Sequence, residues 1–84
     1  MATKGLVLLS DIFEMLNECA PGFDVAEGPH HYRVKWNGRT YPTLPKGEHG
    51  KRPGRGSVQK GKVRDLVAFF GIEECAKGRL EILR

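Results

Sequence analysis

Two adjacent histidines, His30 and His31, open a stretch in which apolar and polar residues alternate, Tyr32, Val34 and Trp36 against His31, Arg33 and Lys35. Successive side chains of a β-strand point to opposite faces. A strand here sets His31 beside Arg33 and Lys35 and turns His30 inward, near the strand start. The two histidines then cannot easily share one metal ion. Imidazole exchanges protons near neutral pH, and its neutral form can accept one. A polyanion held by Arg33 and Lys35 would lie across His31. With RNA, a ribose 2′-hydroxyl comes within reach of the ring. Taking its proton lets the oxygen attack the adjacent phosphate, a general-base step that needs no metal ion or other cofactor. His30 and His49 are secondary candidates; His49 lies in a basic loop, either as a second proton donor or as a solvated side chain.

The charge distribution points to the same class of partner. The chain has 84 residues, 14 Lys and Arg against 10 Asp and Glu, and a net charge of +4. Residues 1–29 carry one base and five acids, whereas residues 30–64 carry ten bases and one acid, Glu48. Phosphate backbones attract such segments, and Lys60, Lys62 and Arg64 are candidate RNA contacts beside Arg33 and Lys35. Other chemistry is missing from the sequence. There is no CxxC, HExxH or phosphate-loop lysine pattern, and the glycines at 47, 50, 54 and 56 do not follow a strand and open a helix as a nucleotide cradle requires. No apolar run is long enough to span a bilayer, and no secretory signal is read at the start. The two cysteines, Cys19 and Cys75, read as thiols in a reducing, cytoplasmic setting, because a small secreted domain usually carries more bridges; a disulfide between them is the alternative.

The elements that must position these residues follow from periodicity. Leu9, Ile12, Phe13, Leu16, Cys19 and Ala20 have helical spacing and predict a helix over 10–20, capped by Ser10 or Asp11 and stopped by Pro21-Gly22. A backward extension through Val7 and Leu8 is left open. Residues 23–26 are a short edge strand and 30–36 the clearest strand. Asn37-Gly38 predicts a type I′ hairpin turn, with the return strand over 39–44. A two-residue turn pairs Trp36 with Arg39, Val34 with Tyr41 and Tyr32 with Thr43. Residues 45–61, rich in Gly, Pro and Lys/Arg, read as a long loop. A second helix is predicted over 62–70, ending at Gly71, with Ile72 packing after the turn. Residues 73–84 form a C-terminal extension without a firm assignment, a helical turn and a strand over 79–83 being the options. The sum is one α+β domain spanning 1–84, with its core over about 8–72. Two helices pack on one face of a small antiparallel sheet, the face of Tyr32, Val34, Trp36 and Tyr41.

The segment Gly28-Pro29-His30-His31-Tyr32-Arg33-Val34, the hairpin, Arg39 and a strand running into a proline resemble the HicA toxins of bacterial HicA–HicB toxin–antitoxin pairs. In that family a Gly-Ser-x-His segment opens the long strand, and here Pro29 stands where serine is usual. Lys60-Gly61-Lys62-Val63-Arg64-Asp65-Leu66, followed by Phe70-Gly71-Ile72, is similar to the family's closing helix, and Gly22-Phe23 matches the end of its first. The similarity covers about residues 8–72; the 45–61 loop is longer than the family's. It implies an αβββα domain like that of double-stranded-RNA-binding proteins and metal-independent endoribonuclease activity on mRNA. It also implies a HicB-like antitoxin as partner, and His31 as the catalytic residue. A non-catalytic nucleic-acid-binding module of the same fold is the alternative.

Overall fold

The computed structural model describes residues 5–46 and 56–80. In chain order the elements are β1 (Leu6–Leu8), α1 (Leu9–Cys19), β2 (Asp24–Glu27), β3 (His31–Trp36), β4 (Arg39–Pro45), β5 (Ser57–Gln59), α2 (Lys60–Phe70) and α3 (Glu73–Arg79). Strands β2, β3 and β4 form an antiparallel sheet with β3 in the middle, while β1 and β5 pair as a separate antiparallel ribbon. The expected α+β order of helix, three strands and helix runs from Leu9 to Phe70, interrupted by β5. None of the described helices is long and apolar enough to cross a membrane.

One core joins the helices to one face of the sheet. Ile12 and Leu16 of α1, Val34 and Leu44 of the sheet, and Val63 and Leu66 of α2 are fully enclosed. Burying each such side chain contributes about 1.5–3 kcal/mol. Rings fix the contacts edge to face. Phe13 of α1 meets Tyr32 at 5.6 Å, and Phe70 and Phe69 of α2 meet Trp36 and Tyr41 at 6.0 and 5.5 Å. Both helices therefore lie behind the sheet, on the face that the alternation of β3 marks as apolar.

The β3–β4 hairpin turns on Asn37 and Gly38, both at positive φ (54° and 78°), as a type I′ turn demands. Trp36 pairs with Arg39 and Val34 with Tyr41, but Tyr32 pairs with Leu44 rather than Thr43. An irregularity places Pro42 and Thr43 opposite the single residue Arg33. The extra residue turns Leu44 into the core, where an uninterrupted ladder would have put Thr43. Pro42, which has no N–H to give a ladder, sits at this break on an edge strand.

Several expected boundaries move for one reason, the β1–β5 ribbon. Val7 and Leu8 belong to a strand and not to a backward extension of α1, and residues 57–59 of the expected loop form β5. Each strand runs straight into a helix. The Leu9 N–H donates to the Gly56 carbonyl at 2.9 Å, and the Lys60 N–H to the Gly5 carbonyl at 2.6 Å. The partner strand's backbone thus satisfies the first amide of each helix, so α1 uses neither Ser10 nor Asp11 as a cap and α2 begins at Lys60. Gly71 ends α2 in the left-handed region (φ 70°), with the Ile72 N–H returning to the Val67 carbonyl, a Schellman-type stop. Residues 73–79 are helical, which replaces the strand option at Arg79; residues 81–83 of that option lie outside the described residues.

Cys19 and Cys75 are joined by a disulfide, with Cα atoms 5.6 Å apart. This overturns the expectation of two thiols and removes the cysteine argument for a reducing compartment. The pairing depends on α3, which brings Cys75 to the C-terminal end of α1. Glu18 and Arg79 form an exposed ion pair between the same helices at 2.9 Å.

Tyr41 donates a hydrogen bond to Asp65 Oδ2 of α2 at 2.8 Å. Burial first, and then that bond, raise the phenol above its usual value. A raised native pKa means stability that is complete below about pH 10 and lost as pH rises through the native value. Tyr41→Phe is expected to lose about 1 kcal/mol at neutral pH. The deficit should shrink above pH 10, because the variant has no phenol to ionise. Urea midpoints of both proteins between neutral and alkaline pH check this; a constant gap would contradict it.

Candidate functional site

The uncovered face of β3 carries the residues singled out from the sequence. His31, Arg33 and Lys35 are exposed, while Tyr32 and Val34 between them are 7% and 0% exposed. Alternate residues of a strand stand about 6–7 Å apart, so imidazole, guanidinium and ammonium form one row along the middle strand. On the flanks the face is low. Ala26 of β2 lies opposite Arg33, and Pro45 of β4 opposite His31. Asp24 of β2 and Thr40 of β4 flank Lys35. Asp24 escaped the sequence reading, because its position depends on the β2–β3 register. A tight turn at Pro29-His30 was the only signal that could have placed it.

That turn also sets His31. The Gly28 N–H donates to the His31 carbonyl at 2.8 Å, which closes a hairpin whose two connecting residues are Pro29 and His30. His30 is therefore an exposed turn residue outside β3, and not the inward-facing strand residue expected; the tight turn starts the strand one residue later. A Cβ on Gly28 would stand 2.9 Å from the His31 carbonyl oxygen, closer than such atoms approach. Gly28→Ala is expected to push the head of β3 outward and to cost about 1–3 kcal/mol. Thermal unfolding checks the cost, and an unchanged midpoint would contradict the close approach.

The basic segment is dispersed. Of its described cations, only Arg33 and Lys35 lie on this face. Arg39 is turned to the covered side, its guanidinium 4.7 Å from the Phe69 ring centre. Lys46 pairs with Glu27 at 2.7 Å and lies 5.6 Å from the Tyr32 ring centre. Lys60, Lys62 and Arg64 are on α2, behind the sheet, so the fold does not bring them onto the face of His31. His49 lies outside the described residues.

Among the described residues no side chain forms a hydrogen bond or ion pair with His31, and none of them gather as three metal-ligand side chains. A groove of about 680 Å³ lies elsewhere, between β1, α1 and α3, with Leu6, Leu8, Met15, Glu14, Glu18 and Leu80 among its walls. It contains none of the candidate residues. The chain matches no family model, no curated protein and no solved structure.

Proposed function

We propose that the uncovered face is an RNA site and that the protein is a metal-independent endoribonuclease of the HicA kind, acting on mRNA in the cytoplasm. One observation carries the reading: His31, Arg33 and Lys35 stand in one exposed row on the middle strand, with small residues around the first two. Arg33 and Lys35 hold consecutive phosphates. His31 takes the proton of a 2′-hydroxyl, and the 2′ oxygen bonds to the adjacent phosphorus. The bond to the 5′ oxygen breaks, and that oxygen takes a proton from water or from the protonated imidazole. The products are a 2′,3′-cyclic phosphate and a 5′-hydroxyl. Guanidinium beside the reacting phosphate stabilises the charge that develops there. In this reading the αβββα core is a variant of the double-stranded-RNA-binding fold. An antitoxin protein of the HicB kind neutralises it by covering the row.

A second reading has an observation of its own. Catalytic bases are usually oriented by a third group, and His31 has no such partner among the described residues. A non-catalytic RNA-binding module fits that feature.

Salt titration of RNA binding tests the shared premise. Each phosphate contact to single-stranded nucleic acid contributes about 0.7 to the log–log salt slope. Arg33→Ala and Lys35→Ala are each expected to lower the slope by about that amount. Slopes equal to the wild type would place the RNA elsewhere. Cleavage of the bound RNA by the wild-type protein separates the enzyme from the binding module.

A further inference from the structure

We infer that the His31 face takes single-stranded RNA by its sugar–phosphate backbone and is nearly indifferent to base identity, an inference that rests on the reading of this face as an RNA site. Proteins that grip single strands by their bases do so chiefly by stacking them on aromatic side chains. The chain has seven Phe, Tyr and Trp rings, and all are committed elsewhere; the His31 imidazole and the Arg33 guanidinium, which can also stack a base, are given in this reading to the 2′-hydroxyl and to a phosphate. Tyr32, Tyr41 and Phe70 are buried, and Phe13, Phe23, Trp36 and Phe69 pack against the core. Trp36 is tied further by its indole N–H, which donates to the Pro21 carbonyl at 3.0 Å. The sheet has placed its Tyr and Trp side chains, Tyr32, Trp36 and Tyr41, on its covered side.

Base edges have few free readers as well: Arg33 and Lys35, whose side-chain types pair with guanine, are given to phosphates in this reading. Asn and Gln are the side chains that pair bidentately with adenine. The only three carboxamides, Asn17, Asn37 and Gln59, lie on α1, in the β3–β4 turn and on β5. The face itself offers two cations, a threonine hydroxyl and a low floor of Ala26, Gly28 and Pro45. Asp24 beside Lys35 weakens the hold of Lys35 on its phosphate without abolishing it, so Arg33 makes the firmer of the two phosphate contacts. A single row on one strand fits one RNA backbone and leaves a second strand without contacts.

Binding of His31→Ala protein to equal-length oligo-U, oligo-A and alternating U-G RNA tests this without cleavage. The three affinities are expected to agree within about threefold and to fall together as salt rises. A preference above about threefold for one base would overturn the inference while leaving the RNA site standing. Failure to bind any of the three would overturn the RNA reading and the inference with it.

Discussion

Replacing His31 with alanine is expected to slow cleavage of single-stranded RNA by roughly 10²–10⁴-fold, the usual contribution of a positioned general base or acid. The fold should be untouched. His31 is exposed at the head of β3, makes no side-chain hydrogen bond among the described residues, and its backbone bond to Gly28 survives the change. Substitutions at such surface positions usually stay within about 0.5 kcal/mol. A loss of rate with an unchanged unfolding midpoint therefore assigns the imidazole to chemistry. RNA affinity should persist, because Arg33 and Lys35 remain. Equal rates for the two proteins would remove His31 from the mechanism and leave the binding-module reading in its place.

Breaking the Cys19–Cys75 bridge is expected to have the largest effect on stability. The two cysteines are 56 residues apart. In the chain-entropy account, closing a loop of that length contributes about 4 kcal/mol by constraining the unfolded chain. For a domain of this size that corresponds to a fall in Tm of roughly 15–30 °C. Cys75→Ser is the cleaner variant, since Cys75 is exposed and Cys19 lies in the core. Without the bridge, α3 is held by Ile72, Ala76 and Leu80 and by the exposed Glu18–Arg79 pair, and such pairs contribute little. Reduction with a dithiol should lower the wild-type midpoint and leave Cys75→Ser unchanged. An unmoved wild-type midpoint would contradict the account. The outcome bears on the proposed setting too, because a reducing cytoplasm tends to open such bridges.

The parts of the fold that sequence made legible are those set by local rules. The alternation over 31–36 and the Asn37-Gly38 turn placed β3, its two faces and the first pairs of the hairpin. Gly71 marked the end of α2 because only a residue tolerant of positive φ fits there. Non-local features stayed hidden. Strands β1 and β5 have three residues each and lie about fifty positions apart, too short for a periodicity to show. Leu44 enters the core through a bulge whose register the distant turn does not fix. The disulfide depends on where α3 docks. At the candidate site, parity along one strand placed His31, Arg33 and Lys35 together. The basic residues of α2 could be assigned to a face only once the helix was known to lie behind the sheet, and Asp24 only once the Pro29-His30 turn had set the β2–β3 register.

The proposed cleavage runs through the ribose 2′-hydroxyl. The most direct measurement incubates the purified protein, with a chelator present, with an RNA of defined sequence. Beside it stands the same oligonucleotide carrying one 2′-deoxy sugar at a mapped cleavage position, and the ends of the fragments are identified. The expected fragments end in 2′,3′-cyclic phosphate and 5′-hydroxyl, with no cut at the deoxy position. A cut at the deoxy position, or fragments ending in 3′-hydroxyl and 5′-phosphate, would contradict that route.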